Sequence, residues 1–231
     1  MLSSISFPEK HPLENNQQYA YRALFQAIMH LDIKPGQQLS DTEVAQVLNI
    51  SRTPVREAVL RLVEIKLVDV APQRSSSVSR INLNYVDEGV FFRNAVESHV
   101  FKEAIPRATD ADLAALRENL SLQRLRIDEN RINEYIDVDD DFHRIIFQIA
   151  EKSRSWDAVV SVTTHLNRLR RLLNLASENA IEKAYTEHLE MYNIIATKSK
   201  EKIGDLVGQH ISWGNKFVLP KLQKDYPDYF I

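Results

Sequence analysis

"NISRTPVREAVLRL", residues 49–62, sets Arg52, Thr53 and Arg56 at the start of a helix, in a chain whose formal net charge is −3. Val55, Ala58, Val59 and Leu62 recur at helical spacing and share one face, so Thr53, Arg56, Glu57 and Leu60 lie roughly opposite, with Arg52 at their flank. Ser51 stands where a helix N-cap belongs, and Pro54 is tolerated in the first turn because proline there sacrifices no intrahelical hydrogen bond. Just upstream, "SDTEVAQVLN" opens on Ser40 with Glu43 three residues later, the pattern of a capping box. Two capped helices therefore meet across a very short turn at Asn49-Ile50.

Before this pair, Tyr21, Leu24, Phe25, Ile28 and Leu31 predict a first helix that stops at Pro35-Gly36. After it, "LVDVA" and "SVSRI" are β-prone runs around the polar turn "PQRSSS", which carries Arg74, and they predict a hairpin. A helix lying in the major groove needs a second helix to brace it and polar side chains at its N-terminal end, where arginine can donate two bonds to guanine or hold phosphate. Arg52, Thr53 and Arg56 meet that need, and Ser51 with the first-turn amides offers a phosphate site. Arginines on successive turns are often no more than a solvated face, but the whole order of capped helix, short turn, arginine-bearing helix and two-stranded wing argues for DNA. The binding must be local, because residues 1–80 hold nine Lys/Arg against eight Asp/Glu.

From Asn82 onward the pattern is helical, in about six segments: 84–107, 110–128, 132–152, 155–177, 180–198 and 201–224. Short connections predict an antiparallel bundle. The chain is thus expected to be mainly α, with a winged helix-turn-helix over 1–81 and an all-helical domain over 82–231. With 44% hydrophobic residues and 26% charged, its 231 residues are ordinary globular composition. The absence of cysteine excludes disulfides, thiolate metal sites and cysteine nucleophiles, and five glycines without a GxGxxG or Walker pattern give no phosphate cradle. No apolar run approaches a membrane span and no signal-peptide order opens the chain, so a cytoplasmic location is expected.

In the helical part, Asp139 stands in the apolar stripe Tyr135, Asp139, Phe142, Ile146, Ile149, with Asp137 and Asp141 expected to point away, and His143 follows Asp139 by one turn. His188 lies in the stripe Ile181, Tyr185, His188, Tyr192, Ile195, and His210 follows Ile203 and Val207 at the same spacing. Each alone reads as a hydrogen-bonded core residue; four buried polar groups together can share one divalent cation. Nitrogen and oxygen donors without sulfur suit zinc, nickel or manganese. Arg93 and Arg170 also fall on inward faces and can pair with an anionic ligand, the alternative being an Arg93–Glu97 ion pair and an interface arginine. Asn167, Asn174 and His165 flank Arg170 on its helix and can line the same pocket.

The segment from "IKPGQQLSDTEVAQVL" through "NISRTPVREAVLRLVEIKLVDV" resembles the winged-helix domain of GntR-type bacterial transcription regulators, most specifically in "SRTPVREA". The resemblance implies that Arg52, Thr53 and Arg56 contact DNA. Lys66 stands where the pattern usually has glycine, and in the wing Arg74 matches an arginine whose following glycine is replaced here by Ser75. "DDDFHRIIFQIA", "EHLEMYNII" and His210 resemble the FCD-type ligand domain of the FadR branch, over most of residues 84–222. That resemblance implies a metal held by Asp139, His143, His188 and His210, a small carboxylate effector, and a homodimer acting on double-stranded operator DNA. A metal-dependent hydrolase and a sensor whose signal is the ion itself are the alternatives; the first leaves residues 1–80 without a purpose.

Overall fold

Asn15 starts the first helix through a capping box: its side chain accepts from the Gln18 backbone amide at 2.8 Å, and the Gln18 side chain accepts from the Asn15 backbone amide at 3.0 Å. The computed structural model describes residues 2–70, 76–199 and 201–231, without the side chains of residues 178 and 213–217. Helix α1 spans Asn16–Met29, α2 Asp41–Val47 and α3 Arg52–Glu64. Lys34–Gln37 forms a tight turn in which Gly36 takes φ +82°, the left-handed position that glycine occupies without a Cβ clash.

Strands β2 (Val68–Asp69) and β3 (Ser76–Val78) make the expected hairpin, and β1 (Gln38–Leu39) joins it in the antiparallel order β1-β3-β2. Two-residue β1 has no periodicity to reveal it. It exists because Gln38 and Leu39 pair with Ser77 and Ser76 across the sheet. Arg74 lies outside the described residues. Leu24, Ile28, Val44, Val55, Leu62 and Val78 close the core beneath these elements.

Eight helices follow among the described residues, where six segments were expected: α4 (Leu83–Arg107), α5 (Asp110–Asp128), α6 (Ile132–Ile149), α7 (Ser153–Val162), α8 (Thr164–Ala176), α9 (Glu178–Ala196), α10 (Ile203–Phe217) and α11 (Leu219–Asp225). The segment 155–177 breaks at Thr163, whose hydroxyl donates to the Val159 carbonyl at 2.7 Å and accepts from the Asn167 amide at 3.2 Å. The last segment breaks at Val218, because Pro220 lacks the amide needed to continue α10 and instead opens α11.

The long helix α4 packs on α6, α8 and α10. At Gly89 a Cβ would stand 3.2 Å from that of Leu166, so a larger residue there would push α8 outward. Phe101, Phe142, Phe147, Trp156, Met191 and Val207 build the main helical core. Ile81, Leu166, Leu169, Leu222 and Phe230 build a second one beside the residues that join the winged helix to α4.

Candidate functional site

Helix α3 shows the face expected of it. Val55, Ala58, Val59 and Leu62 are buried, whereas Ser51, Arg52, Thr53 and Arg56 are exposed. Ser51 takes the extended N-cap conformation, but its side chain makes no capping hydrogen bond, contrary to expectation. Ser40 keeps only half of its capping box: it accepts from the Glu43 amide at 3.4 Å, while the Glu43 carboxylate turns to the Leu2 amide at 2.6 Å. Asn49, at φ +53°, makes the tight turn between the two helices, a conformation that asparagine tolerates better than most residues. Arg61, five residues beyond Arg56, lies over the Tyr21 ring at 4.1 Å and is thereby tied to α1.

In the helical bundle α6, α9 and α10 bring His143, His188 and His210 together, with one ring nitrogen of each within 4.8 Å of the others. The first two rings are fully buried and the His210 side chain is 6% exposed. Each Nδ1 faces a protein group. Glu97 of α4 lies 2.7 Å from His143 Nδ1, although out of hydrogen-bond alignment; Gln123 Oε1 of α5 lies 2.9 Å from His188 Nδ1; Glu187 Oε2 of α9 lies 2.9 Å from His210 Nδ1. His143 Nε2 and His188 Nε2 are buried with no hydrogen-bond partner. Orphaned polar atoms of this kind cost roughly 1–3 kcal/mol each. Rings whose outer nitrogen is oriented by a carboxylate or amide and whose inner nitrogen is left bare fit a divalent metal, since metal-binding histidines are held in this way.

Burial pushes His188 well below the ordinary imidazole range, Asp139 opposing it, and burial also lowers His210 against its bond to Glu187. Both rings are therefore neutral at pH 7 and able to donate a lone pair. Burial alone would raise the Glu97 carboxyl, but Arg93 and His143 hold it well below the usual carboxylate range.

Asp139 lies at the edge of the three rings and is turned towards Arg170. Its Oδ1 is 3.8 Å from His188 Nε2, while Oδ2 is bonded to Arg170. Burial would raise its carboxyl, and Arg170 with the nearby histidines overcomes that and lowers it. Arg170 also donates to Asp140 at 2.8 Å, so its guanidinium is occupied by two carboxylates. Arg93 forms the ion pair with Glu97 that was the alternative reading, yet its Nη2 is buried without a partner. Asn167 bonds Thr163 and Arg170 and lines a cleft of about 280 Å³ against α1 whose lining includes His30 but none of His143, His188 and His210, and Asn174 is half-buried one turn beyond Arg170. His165 turns to the winged helix instead of the expected pocket. Asp137 does so too, reaching His30 at 3.4 Å and Arg171 at 2.6 Å, while Asp141 points outward to Arg144.

Glu97, Gln123 and Glu187 were not singled out in the sequence as partners of the histidines. The signal was present for Gln123, which follows Leu116, Asn119 and Leu120 on the buried face of α5.

Two family patterns cover most of the chain: bacterial regulatory proteins of the gntR family match residues 16–78, and the FCD domain matches residues 88–212. The HTH-type transcriptional repressor RspR of Escherichia coli K12 is 31% identical over 201 residues, spanning 87% of this chain and 88% of its own. This chain belongs to the GntR family of transcription regulators, with an FCD domain. The HTH-type regulator McbR of the same organism is 29% identical over 178 residues, 74% of this chain and 77% of its own. Among solved structures, E. coli McbR/YncC superposes with a TM-score of 0.79 at 21% identity, covering 93% of this chain and all of that one. A regulator from Rhodococcus sp. RHA1 gives 0.75 at 22%, covering 88% and 97%. At those identities the likeness is one of fold. As a GntR regulator the protein is not an enzyme, which sets aside the hydrolase alternative. No helix among the described residues is long and apolar enough to cross a membrane.

Proposed function

We propose that this GntR regulator binds operator DNA as a homodimer through Arg52, Thr53 and Arg56 and answers to a small organic-acid effector bound beside a divalent metal. Residues 1–81 form the DNA-binding unit and 82–231 the effector-binding and dimerising one. The observation that carries the reading is the set of three converging histidines, each with its Nδ1 facing Glu97, Gln123 or Glu187. His143, His188 and His210 would hold the ion, with Asp139 beside them as a fourth donor. Nitrogen and oxygen ligands suit zinc first, then nickel or manganese. The ion would supply a Lewis-acidic position for a carboxylate oxygen.

The chain's own residues do the rest. Burial keeps the His188 and His210 rings neutral, and Gln123 and Glu187 fix their orientation. Arg93 Nη2, which has no partner, and Arg170 add positive charge near the same place. Two copies are needed because one winged helix with nearly balanced charge gains little from counterion release. Native mass spectrometry of freshly purified protein tests the proposal: a dimer carrying one metal per chain is expected. A metal-free protein that gains no thermal stability from added Zn²⁺, Ni²⁺ or Mn²⁺ would overturn the metal part, and a monomer the dimeric part.

A further inference from the structure

Helix α8 carries a second set of buried polar side chains, roughly opposite Arg170 on the helix wheel. Arg168 is 0% exposed and forms no ion pair among the described residues. Its guanidinium instead donates to neutral acceptors: Nη1 to the Ser79 carbonyl at 2.6 Å, Nη2 to Ser79 Oγ and to His165 Nδ1, both at 3.0 Å. A buried cation with no carboxylate bonded to it is costly, and burial lowers its pKa to about 9 against the opposing charge of Asp69. His165 is the neutral tautomer protonated on Nε2: Nδ1 accepts from the Asn82 amide at 3.0 Å and from Arg168, and Nε2 donates to the Lys66 carbonyl at 2.9 Å. Thr164 adds a bond to the Ile65 carbonyl at 3.0 Å.

Lys66 and Ser79 are the two feet of the wing, just before β2 and just after β3. They are tied to each other, Ser79 Oγ donating to the Lys66 carbonyl at 2.7 Å. A single helix of the effector domain therefore grips both feet from outside the DNA-binding unit. The same helix is anchored on its other side by Arg170 to Asp139, next to the histidine cluster.

We propose that Arg168 and His165 are positioning residues for DNA binding, clamping both feet of the wing to α8, so that the angle between wing and recognition helix follows the state of the histidine site through the Arg170–Asp139 contact. The last step rests on the metal reading given above; the clamp itself does not. It explains why a charge is buried here with no carboxylate bonded to it, Asp69 acting only from a distance: the acceptors it needs are backbone and hydroxyl oxygens of the segment it has to hold.

The test uses the full-length protein and a duplex selected by wild type from random-sequence DNA. Arg168→Met, Arg168→Lys and His165→Gln are compared by DNA affinity with Zn²⁺ and with chelator, and by hydrogen exchange at residues 66–69 and 76–79. Arg168→Met is expected to take up Zn²⁺ as wild type does, to exchange faster at both feet, to bind DNA about 5- to 150-fold more weakly, the range of an ordinary intersite coupling, and to lose the difference between the Zn²⁺ and chelated states. Arg168→Lys should recover part of the affinity. If Arg168→Met does not fold, His165→Gln, which keeps the Arg168–Ser79 bonds, decides the matter with smaller changes of the same sign. Wild-type affinity together with wild-type metal dependence in the folded variants overturns the clamp. A wild type that takes up no Zn²⁺ defeats the metal reading alone, and the affinities of the metal-free variants then still decide the clamp.

Discussion

Asp139 of α6 and Arg170 of α8 form an ion pair beside the histidine cluster, with side-chain exposures of 3% and 15%. Each was expected to serve a ligand, and the fold joins them to each other. Removing one partner leaves the other desolvated, so Arg170→Ala should destabilise the protein by about 3–5 kcal/mol, and Asp139→Asn combined with Arg170→Met should cost much less. Urea midpoints of the single and double variants measure this. A double variant whose loss equals the sum of the two single losses would show that the pair is not coupled.

Arg52→Ala and Arg56→Ala should leave the melting temperature unchanged, because both side chains are exposed. Each should weaken operator binding by about 1–3 kcal/mol if it contacts a base, or lower the salt slope by about one unit if it holds a phosphate. Fluorescence anisotropy at several salt concentrations separates the two outcomes; wild-type values for both variants would move the DNA face elsewhere.

Gln123 orients His188 without touching the place where the rings converge. Gln123→Ala should therefore weaken metal binding by about 10- to 100-fold while leaving the ligands in place. Because burial lowers both His188 and His210, these two ligands should stay free to bind metal below pH ~6.5, where free imidazoles protonate, and Zn²⁺ affinity should fall less between pH 7.5 and 6 than for a site of exposed histidines. Isothermal titration with Zn²⁺ at pH 7.5 and 6 checks both statements.

His165 is held neutral, its pKa lowered to about 3 first by burial and then by Arg168. A depressed histidine binds fewer protons folded than unfolded, so its contribution is present above the unfolded value and is lost as pH falls from ~6.5 towards 3. Between pH 7 and pH 5 wild type should lose about 1–2 kcal/mol more stability than His165→Gln. His188 and His210 titrate alike in both proteins, so the difference isolates His165.

Lys66 adopts φ +62°, the left-handed region that favours glycine. A left-handed residue with a Cβ costs roughly 1–2 kcal/mol, partly offset by the greater unfolded-state freedom of glycine. Lys66→Gly should raise stability by up to about 1 kcal/mol, read from chemical denaturation. The carbonyl that His165 and Ser79 share is unaffected by the change.

Local signals sufficed for the three helices and the hairpin of the winged helix, though not for β1. Caps, a proline-glycine turn and period-3.6 apolar stripes are properties of neighbouring residues, so "SRTPVREA" marked the start and exposed face of α3 and the inward stripes marked His143, His188 and His210. The breaks at Thr163 and Val218 were also written locally, in a threonine that back-bonds to its helix and in Pro220, though periodicity overrode both. What tertiary structure alone decided was partnership. Whether Asp139 meets a histidine or Arg170, whether Arg93 turns to Glu97, and whether α8 grips Ser79 depends on how helices far apart in the chain are brought together, a choice made by core packing at positions such as Gly89 and Leu166. A stripe says which way a side chain faces; only the packed neighbour determines what it finds there.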